Sequence, residues 1–260
     1  MAFNTVQLDL SGGVARLAMN RPEVHNAFND EELRELTEAV RSVAADPAVR
    51  VLVLTGNGKS FCAGADLNWM KSVLSYTPEQ NKKDAAVLVD LMDMLEQMPK
   101  PVVGRINGTA VGGGVGLTAV CDIAVASSEA KFGFGEAKLG IIPAMISPYV
   151  LRKIGPGPAR EYFLTGDRFS AERAREIGLV NEVVAPEKLD EAVNAKVASL
   201  LTSAPGAIAE AKKLIRLVPE MTAPEAREHT LAKIAELRTV PEGQEGMRAF
   251  LEKRKANWIK

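Results

Sequence analysis

Apolar and polar residues alternate over "TVQLDL" (5–10) and again over "VARLAMN" (14–20), on either side of Ser11-Gly12-Gly13. That pattern predicts a β-hairpin. The period then changes: in 29–48, Leu33, Leu36, Ala39, Val40 and Val43 recur at helical spacing behind Asn29, a residue type that caps helices. "VRVLVLTG" (49–56) is almost continuously apolar, as a strand buried on both faces should be. A polar-rich helix is predicted over roughly 78–98, stopped by Pro99 and Pro101, and further strands over 101–107 and 121–127, each followed by a short helix. Beyond about residue 156 only "VNEVV" (180–184) reads as a strand, and the rest is helical. The expected fold class is α/β, with a strand-and-helix core over 1–200 and a C-terminal helical region over 201–260. No low-complexity linker or sequence repeat interrupts it.

Composition removes several function classes. The chain has 260 residues, 47% of them hydrophobic, and a formal charge of −1, so no whole-chain field favours nucleic acid. Cys62 and Cys121 are too few for a disulfide framework and suit a reducing compartment. With His25 and His229 as the only imidazoles, no metal site is expected. Neither a signal peptide nor a membrane-spanning run is apparent, and a cytoplasmic location is expected.

Two motif-like strings fail on inspection. "GNGKS" (56–60) resembles the end of a phosphate-binding P-loop, but the opening glycine would fall where the chain has Val53. "GVGLTA" (114–119) is a literal GxGxxA, yet the next strand lacks the acid that a dinucleotide site needs at its end. More is explained by "FCAGADL" (61–67) and "AVGGGVGL" (110–117), two small-residue loops that each follow a strand and start a helix. Such loops let an oxygen approach backbone N–H groups, as an oxyanion hole requires; for either alone, close helix–strand packing is the competing explanation. Glu136 lies among Phe132, Phe134, Ala137, Leu139, Ile141 and Ile142, where an uncharged carboxyl suited to proton transfer is expected. Surface pairing with Lys131 or Lys138 is the alternative. Asp122 is expected to satisfy backbone groups near a strand start.

Taken together and in order, "NRPEVHNAFN", "FCAGADLNWM", "INGTAVGGGVGL", "CDIAVASSEAKFGFGEAKLGIIP" and "FLEKRKANW" resemble the crotonase (enoyl-CoA hydratase/isomerase) superfamily over essentially the whole chain. Within it, "AGADLNWM", "PAMISPYVLRKIG" and "PEGQEGMRAFLEKR" look most like bacterial methylglutaconyl-CoA hydratase-like members. The resemblance implies a crotonase-like spiral of ββα units with a helical trimerisation region, assembled as trimers or a dimer of trimers. It implies an acyl-CoA thioester as substrate and no separate cofactor. The N–H groups of Ala65 and Gly113 would hold the thioester oxygen, flanked by Gly112. Ala27, Ala63, Asp66 and Leu67 would line the CoA cleft. Arg21, Lys71 and Lys253 are its phosphate candidates, with plain surface solvation the alternative for each, and Phe250 either lines the cleft or anchors the last helix.

Hydratases of this family typically carry two glutamates, and here the first position is Gly116 while the second is Glu136. Hydration of a short 2-enoyl-CoA, such as methylglutaconyl-CoA, would then fall to Glu136 or recruit another group, with Ser147 and Tyr149 as polar candidates. Relatives that move a double bond from the 3- to the 2-position manage with one glutamate, so Δ3-Δ2 isomerisation is the second expectation. A CoA-thioester-binding protein without catalysis is the third.

Overall fold

In the computed structural model, which describes residues 3–259, the elements recur as strand, strand, helix. β1 (Val6–Ser11) and β2 (Val14–Met19) lead into α1 (Asp30–Ala45). β3 (Val51–Gly56) and β4 (Ser60–Cys62) lead into α2 (Leu67–Val73) and α3 (Pro78–Gln97). β5 (Val102–Ile106) and β6 (Thr109–Val111) lead into α4 (Gly113–Val120), and β7 (Ile123–Ser127) and β8 (Lys131–Gly133) into a 3-10 turn (Glu136–Leu139) and α5 (Ser147–Ile154). Then come α6 (Pro156–Thr165), β9 (Arg168–Ser170), α7 (Ala171–Glu176), β10 (Glu182–Val184) and α8 (Leu189–Thr202). α9 (Pro205–Leu217), α10 (Ala223–Thr239) and α11 (Pro241–Leu251) follow.

From the second unit on, the two strands of each unit go to different sheets. β3, β5 and β7 join the larger sheet, ordered β1-β2-β3-β5-β7-β10, while β4, β6 and β8 join the smaller, ordered β4-β6-β8-β9. Among the described residues only β1–β2 and β8–β9 pair antiparallel. The sequence shows no repeat, yet the chain is a structural one: a spiral of ββα turns. The smaller sheet was not anticipated, because its strands are three residues long, too short for alternation to register.

The central strands of the larger sheet are buried on both faces. Leu52 and Leu54 of β3 point into the main core with Leu33, Leu36 and Val40 of α1 and Leu91 and Leu95 of α3. Val51 and Val53 point the other way, with Val103 and Val125, against Leu189, Val193 and Val197 of α8. That two-sided burial is why 49–56 reads as an unbroken apolar run. Asn29 caps α1 by accepting from the Glu32 N–H at 2.9 Å. The sheet register sets every later strand's side-chain face, and with it the positions of the loops after β4 and β6.

Candidate active site

The loop from Arg21 to Phe28 is fixed first. Asn26 is fully buried in the left-handed region, φ 55°, and its Nδ2 donates to the carbonyls of Asn57, Ser60 and Phe61. Its Oδ1 accepts from the Arg21 N–H at 2.9 Å. Ala63 N–H donates to His25 O at 3.0 Å, Phe28 N–H to Gly64 O at 2.6 Å, and Asp66 N–H to Phe28 O at 2.8 Å. The loop after β4 is thereby stitched to the loop before α1, with Phe28 opposite Ala65.

Those bonds use the groups on either side of Ala65 and leave its own N–H without an acceptor among the described residues. Gly113, first residue of α4, likewise has an unpaired N–H, as helix N-termini do. Gly64 brings the two segments together: at φ +89° it lies so close to Val111 that a Cβ would sit 2.9 Å from Val111 O and 3.9 Å from Gly113 N. Only glycine tolerates both that dihedral and that approach. Two free N–H donors, one of them on a helix N-terminus, thus lie on neighbouring loops, and donors of this kind suit a developing negative oxygen.

Glu136 stands beside them. Its Oε1 lies 3.2 Å from where a Cβ on Gly112 would project, and Gly112 itself is at φ +52°. Its buried Oε2 has no hydrogen-bond partner among the described residues. Burial raises the Glu136 carboxyl above the ordinary carboxylate range. Among the described residues neither lysine considered as a surface partner pairs with it, and Lys138 binds Asp167 at 2.9 Å instead.

The Gly116 position is closed rather than open. A Cβ there would lie 2.5 Å from both Ile146 Cγ2 and Met92 Cε. The polar substitutes do not fill the gap either. Tyr149 is buried, but its hydroxyl donates to Asp93 Oδ1 at 2.8 Å, tying α5 to α3. Ser147 Oγ donates to Ala144 O at 2.8 Å, and the residue at the cap of α5 is Ile146, so Ser147 is no helix cap.

The remaining expected residues scatter. Ala27 is buried and Ala63 half-buried beside the stitched loops, while Leu67 is 74% exposed at the start of α2. Asp66 is buried, caps α2 through the Asn68 N–H and pairs with Arg21 at 2.8 Å. Arg21 is therefore engaged inside the protein, whereas Lys71 is exposed. Phe250 is 83% exposed on α11 and Lys253 follows it; the tail beyond is tied to Arg50 and Thr202, so no contact of this segment brings either residue to the loops of the same chain. Asp122 accepts from Val102 N–H, the backbone role expected of it, and also pairs with Lys212, which was not anticipated. Sequence reasoning missed Asn26, Ile146 and Met92. It also missed Glu32, a fully buried acid on α1 whose spacing from Leu36 already placed it on the apolar face.

Comparison with known proteins identifies the family and the fold. A family model described as enoyl-CoA hydratase/isomerase matches residues 9–260. Crotonyl-CoA hydratase of Syntrophomonas wolfei is 37% identical, over 100% of this chain and 99% of its own length. Short-chain-enoyl-CoA hydratase of Clostridium acetobutylicum is 34% identical, over 100% and 99%. The crystal structure of an enoyl-CoA hydratase from Shewanella pealeana superposes with a TM-score of 0.96 at 38% identity, covering 98% of this chain and 96% of that one. The chain belongs to the enoyl-CoA hydratase/isomerase family.

Proposed function

We propose that the protein hydrates a short 2-enoyl-CoA thioester with Glu136 as its single acid–base residue. The observation that carries this reading is the Glu136 carboxyl held against Gly112, next to the unpaired N–H groups of Ala65 and Gly113. The thioester oxygen accepts from those two N–H groups, which stabilise the negative charge it gains as the double bond is attacked. Ionised Glu136 takes a proton from water as the water oxygen bonds to carbon 3. Carbon 2 then takes the same proton back from Glu136, so one water is added and the carboxylate is regenerated.

Ile146 and Met92, closed on Gly116, leave the far side of this site apolar and favour a small acyl group. Within that class a branched, carboxylated ester such as methylglutaconyl-CoA is the finer reading, carried by the resemblance of "AGADLNWM" and "PAMISPYVLRKIG". Ala27, Ala63 and Leu67 border the CoA cleft in this reading. Asp66 acts there through Arg21. Phe250 and Lys253 would reach the cleft from another copy in a trimer or dimer of trimers. The exposed Ile215, Phe250 and Leu251 give such an assembly an apolar surface to cover.

The closed surroundings of Gly116 favour a second reading, Δ3-Δ2 isomerisation. Glu136 would remove a proton from carbon 2 and return it to carbon 4, with no water to place. Incubation with crotonyl-CoA, 3-methylglutaconyl-CoA and a 3-enoyl-CoA, with products separated by chromatography and weighed by mass spectrometry, separates the readings. Gain of one water supports hydration. Conversion of the 3-enoyl to the 2-enoyl ester at unchanged mass, with crotonyl-CoA untouched, replaces it by isomerisation.

A further inference from the structure

The loops that carry the site lie in a row along one end of the smaller sheet. β4, β6 and β8 run parallel, so Ala65, Gly113 and Glu136 each come shortly after the C-terminal end of a strand. β9 pairs antiparallel with β8, with Arg168 opposite Gly133, so the start of β9 lies at that same end. In the strand order β4-β6-β8-β9 the row therefore runs from Ala65 past Gly113 and Glu136 to Arg168. The first two places hold the amide donors and the third the carboxyl. The fourth has no task in the reaction proposed above.

A cavity of about 300 Å³ occupies that fourth place. Val111 and Gly135 line it and adjoin Gly112 and Glu136 in the chain, and Gly112 N–H donates to the O of Gly133, also in the lining, at 3.0 Å. With the buried Phe134 these residues make an apolar wall. Two cations face it, Lys138 and Arg168. Lys138 is engaged by Asp167 at 2.9 Å, and its stem lies over Gly166, where a Cβ would meet Lys138 Cγ at 3.1 Å. The Arg168 stem lies over Gly133 in the same way, a Cβ there falling 3.2 Å from Arg168 Cγ. Among the described residues, however, the Arg168 guanidinium has no hydrogen-bond or ion-pair partner, so it supplies the cavity with one unpaired positive charge.

We infer that Arg168 is a specificity-determining residue whose guanidinium donates to a carboxylate at the far end of the acyl chain, so that the preferred substrates are CoA esters of unsaturated dicarboxylic acids. A guanidinium fork matches the two oxygens of a carboxylate, and the apolar wall suits the chain that leads to it. β6 and β9 stand two strand spacings apart, about 10 Å, which an acyl chain of about five carbons and an arginine side chain cover between them. The CoA phosphates belong elsewhere: Arg21 and Asp66 line a separate cavity of about 390 Å³ at the β4 end of the row. An acyl group ending in a methyl leaves the arginine without a partner against that wall, and the loss sets the discrimination. The inference rests on the acyl-CoA reading of the site and holds equally for hydration and isomerisation.

The test measures, by calorimetry, binding of glutaryl-CoA and butyryl-CoA, saturated esters that can be neither hydrated nor isomerised, to the wild type and to Arg168→Met and Arg168→Lys. Turnover of glutaconyl-CoA and crotonyl-CoA is followed alongside. The wild type should bind glutaryl-CoA about 10–100-fold more tightly than butyryl-CoA, the ratio that hydrogen bonds between charged groups give. Arg168→Met should erase that preference, and Arg168→Lys, which keeps the charge without the fork, should keep only part of it. The ratio of kcat/KM for glutaconyl-CoA over crotonyl-CoA should fall in step, through KM. Either variant suffices if the other does not fold. Equal binding of the two saturated esters by the wild type, or a preference that survives in Arg168→Met, would overturn the inference, while hydration of crotonyl-CoA leaves the proposed function standing. A preference that depends on Arg168, without turnover of either enoyl ester, supports the inference and overturns the proposed reaction instead. If neither saturated ester binds, the acyl-CoA reading fails and the inference with it.

Discussion

Replacing Gly116 by alanine should give a stability change whose size depends on Ile146. In a helix interior, alanine is normally better than glycine by about 1 kcal/mol. Here the added Cβ would lie 2.5 Å from Ile146 Cγ2 and Met92 Cε and 3.0 Å from Ile146 Cβ. Carbon atoms pack best at about 3.5–4.0 Å, so the neighbours must retreat by roughly 1 Å. Met92 can comply, since the atom met is the end of a flexible chain. Ile146 cannot, because its β-branch fixes the methyl and the residue is 2% exposed at the cap of α5. Overpacking of this kind costs about 1–3 kcal/mol, so Gly116→Ala should destabilise by up to about 2 kcal/mol net. In an Ile146→Ala background the Cγ2 methyl is gone while the Cβ at 3.0 Å and the yielding end of Met92 remain, so the same change should cost less than in the wild type. Urea unfolding followed by circular dichroism at one fixed protein concentration measures all four proteins. Equal effects of Gly116→Ala in both backgrounds would refute the closed wall and reopen the position to water or a polar group.

Further expectations follow from the buried acids. Glu136→Gln should lower turnover of crotonyl-CoA by about 10²–10⁴-fold while leaving its binding in place, measured by steady-state kinetics and calorimetry. Because burial raises Glu136, and the ionised form is the proposed base, the acid limb of kcat/KM should have its midpoint above the ordinary carboxylate value of 4.5; a midpoint at or below that value contradicts the burial argument. Glu32, pushed up from 4.5 to about 8, holds its proton better folded than unfolded, so it costs stability increasingly between those values and by a constant amount above them. Glu32→Leu should remove this dependence and stabilise the protein by roughly 3 kcal/mol at about pH 7, read by denaturation across pH. Glu35 behaves oppositely: held below 4.5, its contribution is present above that value and is lost as pH falls through its folded value, a loss that Thr5→Val should reduce.

What the sequence made legible is what local pattern can carry. Strands of five or six residues with apolar runs, such as Val51–Gly56, and helices with a regular stripe, such as Asp30–Ala45, lie within a few residues of their expected bounds. The glycines of the two loops also announced themselves, and Gly64 and Gly112 do adopt positive φ against close neighbours. The small sheet did not, since three-residue strands have no period and exist through pairing with distant segments. Nor did the wall at Gly116, a meeting of α3, α4 and α5 that no single segment encodes. Glu32 was hidden by its charge: an acid in the first turn of a helix ordinarily faces water and the helix dipole.

The most direct test of Glu136 and its two amide donors uses a substrate that can be neither hydrated nor isomerised. Butyryl-CoA in deuterated water should exchange a proton at carbon 2 for deuterium, followed by NMR, because in the proposed mechanism Glu136 removes it while the Ala65 and Gly113 N–H groups hold the enolate. The account predicts exchange with the wild type and its loss in Glu136→Gln. Bound butyryl-CoA that keeps its carbon-2 protons, or equal exchange by the two proteins, would contradict it.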